Sequence, residues 1–176
     1  MVKYLIINKG DEVLDMCTGS GVLAVISAQK GAKKVTAVDI NPRAVECVHI
    51  NAELHGVADK IESLQSDVFS HIPANHQFDV ISINLPFMDR PNEGDLAKGT
   101  MWDTDLHVHK EFFSNVDARL RLHANSRIYV AQSNLGAVNE MIDMATVAGF
   151  NVRVIGQEAL EDDEHIHFLA FELTRK

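Results

Sequence analysis

Two short runs constrain the fold of this chain more than anything else in it: Val-Leu-Asp-Met-Cys-Thr-Gly-Ser-Gly at 13–21 and Val-Asp-Ile-Asn-Pro at 38–42. The first is an apolar strand ending in an acid, then a Gly-x-Gly turn that opens a helix. The second is another apolar strand ending in an acid, and Asp39 lies 24 residues beyond Asp15. A strand, a glycine turn, a helix and a second strand make a βαβ unit with a nucleoside site at its carboxyl edge, the far carboxylate being placed to accept from ribose hydroxyls. Gly19 and Gly21 are expected to let the backbone approach a ligand where a Cβ would clash.

Gly-Ser-Gly-Val-Leu-Ala also fits the G-x-G-x-x-A pattern of dinucleotide folds. In those folds the first glycine follows the strand directly, whereas here Asp15, Met16, Cys17 and Thr18 intervene.

The rest of the chain continues the alternation. Strands are expected at 12–16, 34–39, 60–66, 78–84 and 126–133, and helices at 21–30, 42–54, 105–122 and 135–148. Asn41 and Pro42 read as cap and first residue of the second helix. The end reads as two strands, 151–158 and 165–174, joined by the acidic turn 161–164. Strand–helix alternation closed by a hairpin predicts an α/β fold, a mostly parallel sheet with an antiparallel member at the end. Residues 88–104, rich in Asp, Gly, Asn and Pro, form a long irregular stretch, and loops of that length inside compact domains are usually functional or disordered.

With 176 residues the chain is expected to be one domain, 1–176, with a well-buried core. No stretch approaches the ~20 apolar residues of a membrane helix, and the start lacks a signal-peptide pattern, so no membrane association and a cytoplasmic location are expected. The net charge of −9 disfavours non-specific grip on a phosphate backbone. Cys17 and Cys47 have no metal-ligand spacing and read as free thiols. His107-Val-His109 and His165-Ile-His167 each lack a third ligand, so no metal is expected.

Asp15-x-x-x-Gly19-x-Gly21, Val38-Asp39-Ile40-Asn41-Pro42, Ser66-Asp67-Val68-Phe69 and Asn84-Leu85-Pro86-Phe87, in this order, resemble the class I S-adenosylmethionine (SAM) methyltransferases. Within them the chain resembles the HemK-like branch of protein-glutamine N5 and amino-directed nucleic-acid methylases, whose signature after strand four is [N/D]-P-P-[Y/F]. The resemblance covers roughly residues 10–174 and implies a Rossmann-like, doubly wound seven-stranded sheet in the order 3-2-1-4-5-7-6 with strand seven antiparallel.

It also implies roles. The loop of Asp15, Met16, Cys17, Thr18, Gly19 and Gly21 would cradle the methionine part of SAM. Asp39 would hold the ribose, Asp67 would accept from the adenine amino group, and Ile40 and Val68 would flank the ring. Asn84 and the Leu85 carbonyl, with Pro86 and Phe87, form the reaction motif: two acceptors aim the target nitrogen at the methyl and favour its developing positive charge, and the aromatic ring stacks on its plane. Cys17 stands where relatives often have Gly, and Leu85 replaces the first Pro. Asn-Leu-Pro also resembles certain tRNA guanine-N1 methylases.

The expected activity is SAM-dependent methyl transfer to an amino or amide nitrogen of a protein, a nucleic acid or a small molecule. The rivals are a SAM-binding partner subunit without turnover and a nicotinamide-dependent oxidoreductase. Only about eleven residues precede the first strand, so a partner chain or a missing segment is expected to supply docking for a large acceptor.

Overall fold

The computed structural model describes residues 1–91, 101–160 and 163–176. These form a seven-stranded sheet in the order β3-β2-β1-β4-β5-β7-β6. The strands are β1 (Glu12–Met16), β2 (Lys34–Asp39), β3 (Ile61–Gln65), β4 (Val80–Asn84), β5 (Arg127–Ser133), β6 (Phe150–Leu160) and β7 (Asp163–Arg175). The first five run parallel, and β7 lies antiparallel to both β5 and β6.

Successive side chains of the central strands go to opposite faces, and both faces are buried. Leu14, Ile81 and Ile128 pack on one face with Phe112, Val116 and Met141, from helices α3 (His107–Arg119) and α4 (Val138–Val147). Val13, Val35 and Tyr129 pack on the other with Ala24, Ala28 and Val48, from α1 (Val22–Gln29) and α2 (Pro42–Leu54). Apolar runs on β1 and β4 rather than alternating patterns are what burial on two faces demands.

Local chemistry sets the ends of the helices. The Asn41 side chain accepts the Arg43 N–H at 3.0 Å, with Pro42 at the first helical position. The helix expected over 105–122 is shorter at both ends. Asp105 and Leu106 have φ near +55°, which no helix continues through, and Leu120 is extended and bridges to Phe78. The third strand stops at Gln65 because Ser66 turns the chain: its hydroxyl donates to the Val68 carbonyl and accepts the His71 N–H.

The first ten residues lie on this body. Leu5 is fully buried, Lys30 donates to its carbonyl at 2.5 Å, and Tyr4 packs against Gly156 of β6. At the amino edge of the sheet, Arg121 bonds Asp79 at 2.6 Å and Glu12 at 2.8 Å, and His123 bonds Asp79 at 2.7 Å. No helix of the described residues is long and apolar enough to cross a membrane. Of the long irregular stretch, residues 92–100 lie outside the described residues, as do 161 and 162 of the acidic turn.

Candidate active site

The carboxyl ends of β1, β2 and β4 open into a cavity of about 360 Å³, a size that suits a small organic ligand. The sheet order puts its switch point between β1 and β4, where ligands of open α/β sheets bind. Met16, Cys17 and Gly19 line it from the turn after β1, and Asp39 and Ile40 from the end of β2. Asp67 and Val68 line it from the turn after β3, and Asn84 and Pro86 from the end of β4. Nine sequence-predicted site residues therefore share one cavity.

The turn is held together by two acids in different ways. Asp15 is buried and does not reach the cavity. It accepts the Thr18 hydroxyl at 2.6 Å, the Ser82 hydroxyl at 2.8 Å and the Ala24 N–H at 3.1 Å, so it shapes the loop from beneath. Burial pushes its carboxyl up to about 6, against the pull of those three donors. Asp39 does line the cavity. One of its oxygens accepts the Gly19 N–H and the other the Asn41 N–H, each at 2.9 Å. A carboxylate offers about four lone pairs, so acceptor capacity remains for a ligand diol.

Besides Asp15, four expected residues do not line this cavity, the first being Thr18, which is buried against Asp15. Gly21 (φ +80°) does not line the cavity, and a Cβ there would come within 3.0 Å of Val48 Cγ2, so this glycine lets α1 and α2 approach each other. Leu85 turns its side chain into the core, donates its N–H to Ala131 and is essentially unexposed. Where relatives have a stiff proline, this chain anchors the segment by burial. Phe87 faces a separate, more open cavity of about 430 Å³ beside Gly136 and Ala137. Its carbonyl accepts the Ala137 N–H at 3.0 Å, which ties the motif to the turn before α4.

Backbone strain gathers here. Among the described residues, Cys17, Val68, Asp105 and Leu106 are the non-glycine residues with positive φ. The first two line the cavity, and the other two lie between its lining residues Thr104 and His107. For β-branched Val68 (φ +43°) the conformation is costly, and such residues cluster at functional sites. The left-handed backbone at Cys17 (φ +55°) is one that glycine adopts without strain.

The segment before α3, whose Met-Trp-Asp-Thr-Asp-Leu run at 101–106 resembles a substrate-facing loop of the same family, brings Trp102, Asp103 and Thr104 to the cavity, and His107 joins them from the start of α3. Met88 and Trp102 form a parallel bridge that brings this segment against the reaction motif. His107 reaches across to Asp67 at 3.1 Å. His109 is fully buried and bonds Asp103 at 2.6 Å. Two residues along a helix are about 200° apart, so the two histidines face different ways. Among the described residues, no group of three or more metal-ligating side chains forms.

Comparison with known proteins agrees with this geometry. The family model described as ribosomal protein L11 methyltransferase (PrmA) matches residues 3–85. A Methanocaldococcus jannaschii protein, provisionally named a protein N5-glutamine methyltransferase, is 28% identical over 165 residues, which is 88% of this chain and 78% of that protein. The ribosomal protein L11 methyltransferase of Bacillus velezensis is 40% identical over 80 residues, 46% of this chain and only 25% of the relative. The crystal structure of ribosomal protein L11 methylase from Lactobacillus delbrueckii subsp. bulgaricus superposes with a TM-score of 0.70 at 17% identity, covering 99% of this chain and 74% of that one. That likeness extends the fold across the whole sheet. The glycine turn, the strand-two acid and the strand-four motif thus converge on one cavity in a chain that is similar, over residues 3–85, to the ribosomal protein L11 methyltransferase family.

Proposed function

We propose that residues 1–176 act as one SAM-dependent N-methyltransferase domain whose cofactor lies in the 360 Å³ cavity, with the acceptor nitrogen held at Asn84. The observation that carries this reading is the shared cavity: Asn84 at the end of β4 opens into the same space as Asp39 at the end of β2.

The residues fit the cofactor. Asp39 keeps acceptor capacity for the ribose hydroxyls after binding the Gly19 and Asn41 amides. Ile40 and Val68 provide apolar walls for the adenine, with Asp67 at its amino edge. Met16, Cys17 and Gly19 carry backbone to the methionine end, while Asp15, Thr18 and Gly21 set the shape of that turn. When bound, SAM supplies a sulfonium methyl that the acceptor nitrogen's lone pair displaces, with the C–S electrons returning to sulfur.

The Asn84 side-chain oxygen and the Leu85 carbonyl accept the acceptor's N–H bonds. They direct its lone pair at the methyl and favour the charge that forms on nitrogen. The surplus proton leaves after transfer, so no strong base is needed. Phe87, next along the chain from Pro86 but lining a separate cavity, would offer stacking area to the planar group that carries the nitrogen if the acceptor reached it.

The relatives named above support a protein amide or amine as acceptor, and the Asn-Leu-Pro variant keeps a nucleic-acid base in view. A partner chain that presents the acceptor fits a surface with net charge −9. The free thiols Cys17 and Cys47 suit a reducing cytoplasm. The test is titration calorimetry with SAM and with NAD, followed by a mass-spectrometric search for species methylated from labelled SAM. Binding of NAD and not of SAM would overturn the reading.

A further inference from the structure

The acids of the cavity stand at two opposite places. Asp39 and Asp67 are on the β2 and β3 side. Asp103 is on the other, wired through His109 to Gln132 of β5. The strand order makes that the side of β4 and of Asn84.

The wiring determines where the protons are. Gln132 Oε1 accepts the Ser133 N–H at 2.9 Å, so the Gln132 NH₂ is the group that meets His109 Nε2 at 3.0 Å. An NH₂ only donates, so His109 Nε2 is bare and its proton sits on Nδ1, which donates to Asp103 Oδ2. The histidine is neutral. Asp103 also accepts the Val108 N–H at 2.9 Å and the His109 N–H at 3.2 Å, from the first turn of α3. These donors orient the carboxylate and the helix end offsets part of its charge, but none is a full cation. Asp103 is itself nearly fully buried and lines the cavity, and its Oδ1 accepts one backbone N–H, that of Val108.

Among the described residues, the lining of the cavity includes no Lys or Arg, and its one ionisable base, His107, is directed at Asp67. Burial first, and then the charges of Asp39, Asp15, Asp103 and Asp67, push the Cys17 thiol up.

We propose that Asp103 is a charge-selecting residue of the site, a fixed anion at the reacting end that favours a cationic ligand there over a neutral one. The inference rests on the cavity being the cofactor site. SAM carries a sulfonium cation at the atom where S-adenosylhomocysteine (SAH), its product, is a neutral thioether. A carboxylate in a partly dry wall attracts the first and has little to offer the second. His109 and Gln132 are positioning residues that hold Asp103 in place and keep its partner neutral. The consequence would be that the product leaves more readily than the substrate.

Three ligands test this by calorimetry on the full chain: SAM, SAH and sinefungin, in which an amine replaces the sulfonium methyl. The unaltered protein is expected to bind SAM and sinefungin about tenfold tighter than SAH. Asp103→Asn keeps an oxygen for the α3 amides, and it is expected to weaken both cations about tenfold while SAH stays within about twofold. His109→Gln leaves the charge in place and should retain a preference for the cations. A folded Asp103→Asn protein with an unchanged SAH-to-sinefungin ratio would overturn the proposal. So would SAH binding as tightly as sinefungin to the unaltered protein, a result that needs no variant to fold. Failure of all three ligands to bind would sink the cofactor-site reading itself, whereas binding without charge preference would remove only the role of Asp103.

Discussion

The Gly19 N–H donates to Asp39 Oδ2 at 2.9 Å, so the glycine turn after β1 and the acid that closes β2 form one hydrogen-bonded unit. Removing that acid therefore has two effects, loss of the ribose acceptor and release of the turn that faces the methionine end. Asp39→Ala is expected to weaken SAM binding by about tenfold or more, since charge-assisted hydrogen bonds contribute on the order of 1.5–3 kcal/mol. Asp39→Asn, which keeps one acceptor oxygen, should lose less. Calorimetry against SAM checks the order of the two, and unchanged affinity in a folded Asp39→Ala protein would remove Asp39 from ribose binding.

Asn84 separates from Asp39 by the step it serves. Asn84→Ala should lower methyl transfer by roughly two orders of magnitude, as loss of a transition-state hydrogen-bonding group does elsewhere. SAM affinity should change by much less. Single-turnover transfer of labelled methyl to the acceptor, set beside calorimetry on the same variant, distinguishes the two. A large drop in affinity with transfer intact would reverse the assignment.

Gly136 tests the support of the reaction motif without touching the cavity that holds Asn84. A Cβ at this position would overlap the Phe87 carbonyl oxygen and Cβ, and press on Gln132 Oε1 at 2.9 Å. The first obstacle is backbone, which cannot rotate away. Gly136→Ala should cost about 1–3 kcal/mol, the range for overpacking, and should displace the 84–88 segment. Urea denaturation gives the first quantity. Reduced methyl transfer with nearly normal SAM affinity would report the second.

Stability should respond to pH in two opposite ways. Asp15 is raised to about 6 when folded, so the folded state holds its proton more tightly than the unfolded chain. Its neutral form contributes fully below about pH 4, and that contribution is lost as pH rises to about 6, on the order of 3 kcal/mol at most. Asp15→Asn should flatten this slope, since Oδ1 can still accept from Thr18 and Ala24. Glu12 and Asp79 act the other way. Burial raises each, but Lys33 and Arg121 outweigh it at Glu12, and the Glu12 amide, His123 and Arg121 outweigh it at Asp79, so both are held below the usual carboxylate range. Their stabilisation is present above about pH 4 and disappears as pH falls further. Urea midpoints across pH 3–8 should show both slopes, with the upper one absent in Asp15→Asn.

What could be read in advance follows physical range. The strand–helix alternation and Asn41 as cap are legible in local patterns that need few residues to specify, whereas the sheet order and the grouping of Asp39, Asp67 and Asn84 follow from the resemblance those motifs carry. The positions of Gly21 and Phe87 outside that cavity are not legible locally, because their neighbours Val48 and Gly136 come from other elements. Asp103 and His109 went unread as a pair for a different reason. The His107-Val-His109 spacing drew attention to metals, while the partner that matters lies six residues upstream, across a backbone kink that no propensity announces.

The place of β7 sets the order in which this protein can be assembled. It is the last strand along the chain and yet sits between β5 and β6. Until residues 163–175 arrive, β6 has no sheet partner and β5 presents an open edge of unpaired amides. β7 therefore completes two pairings at once, its own with β6 and that of the hairpin with β5. A nascent chain cut short before β7 would hold its glycine turn and acids in order beside a bare sheet edge, and would be prone to pair with another chain.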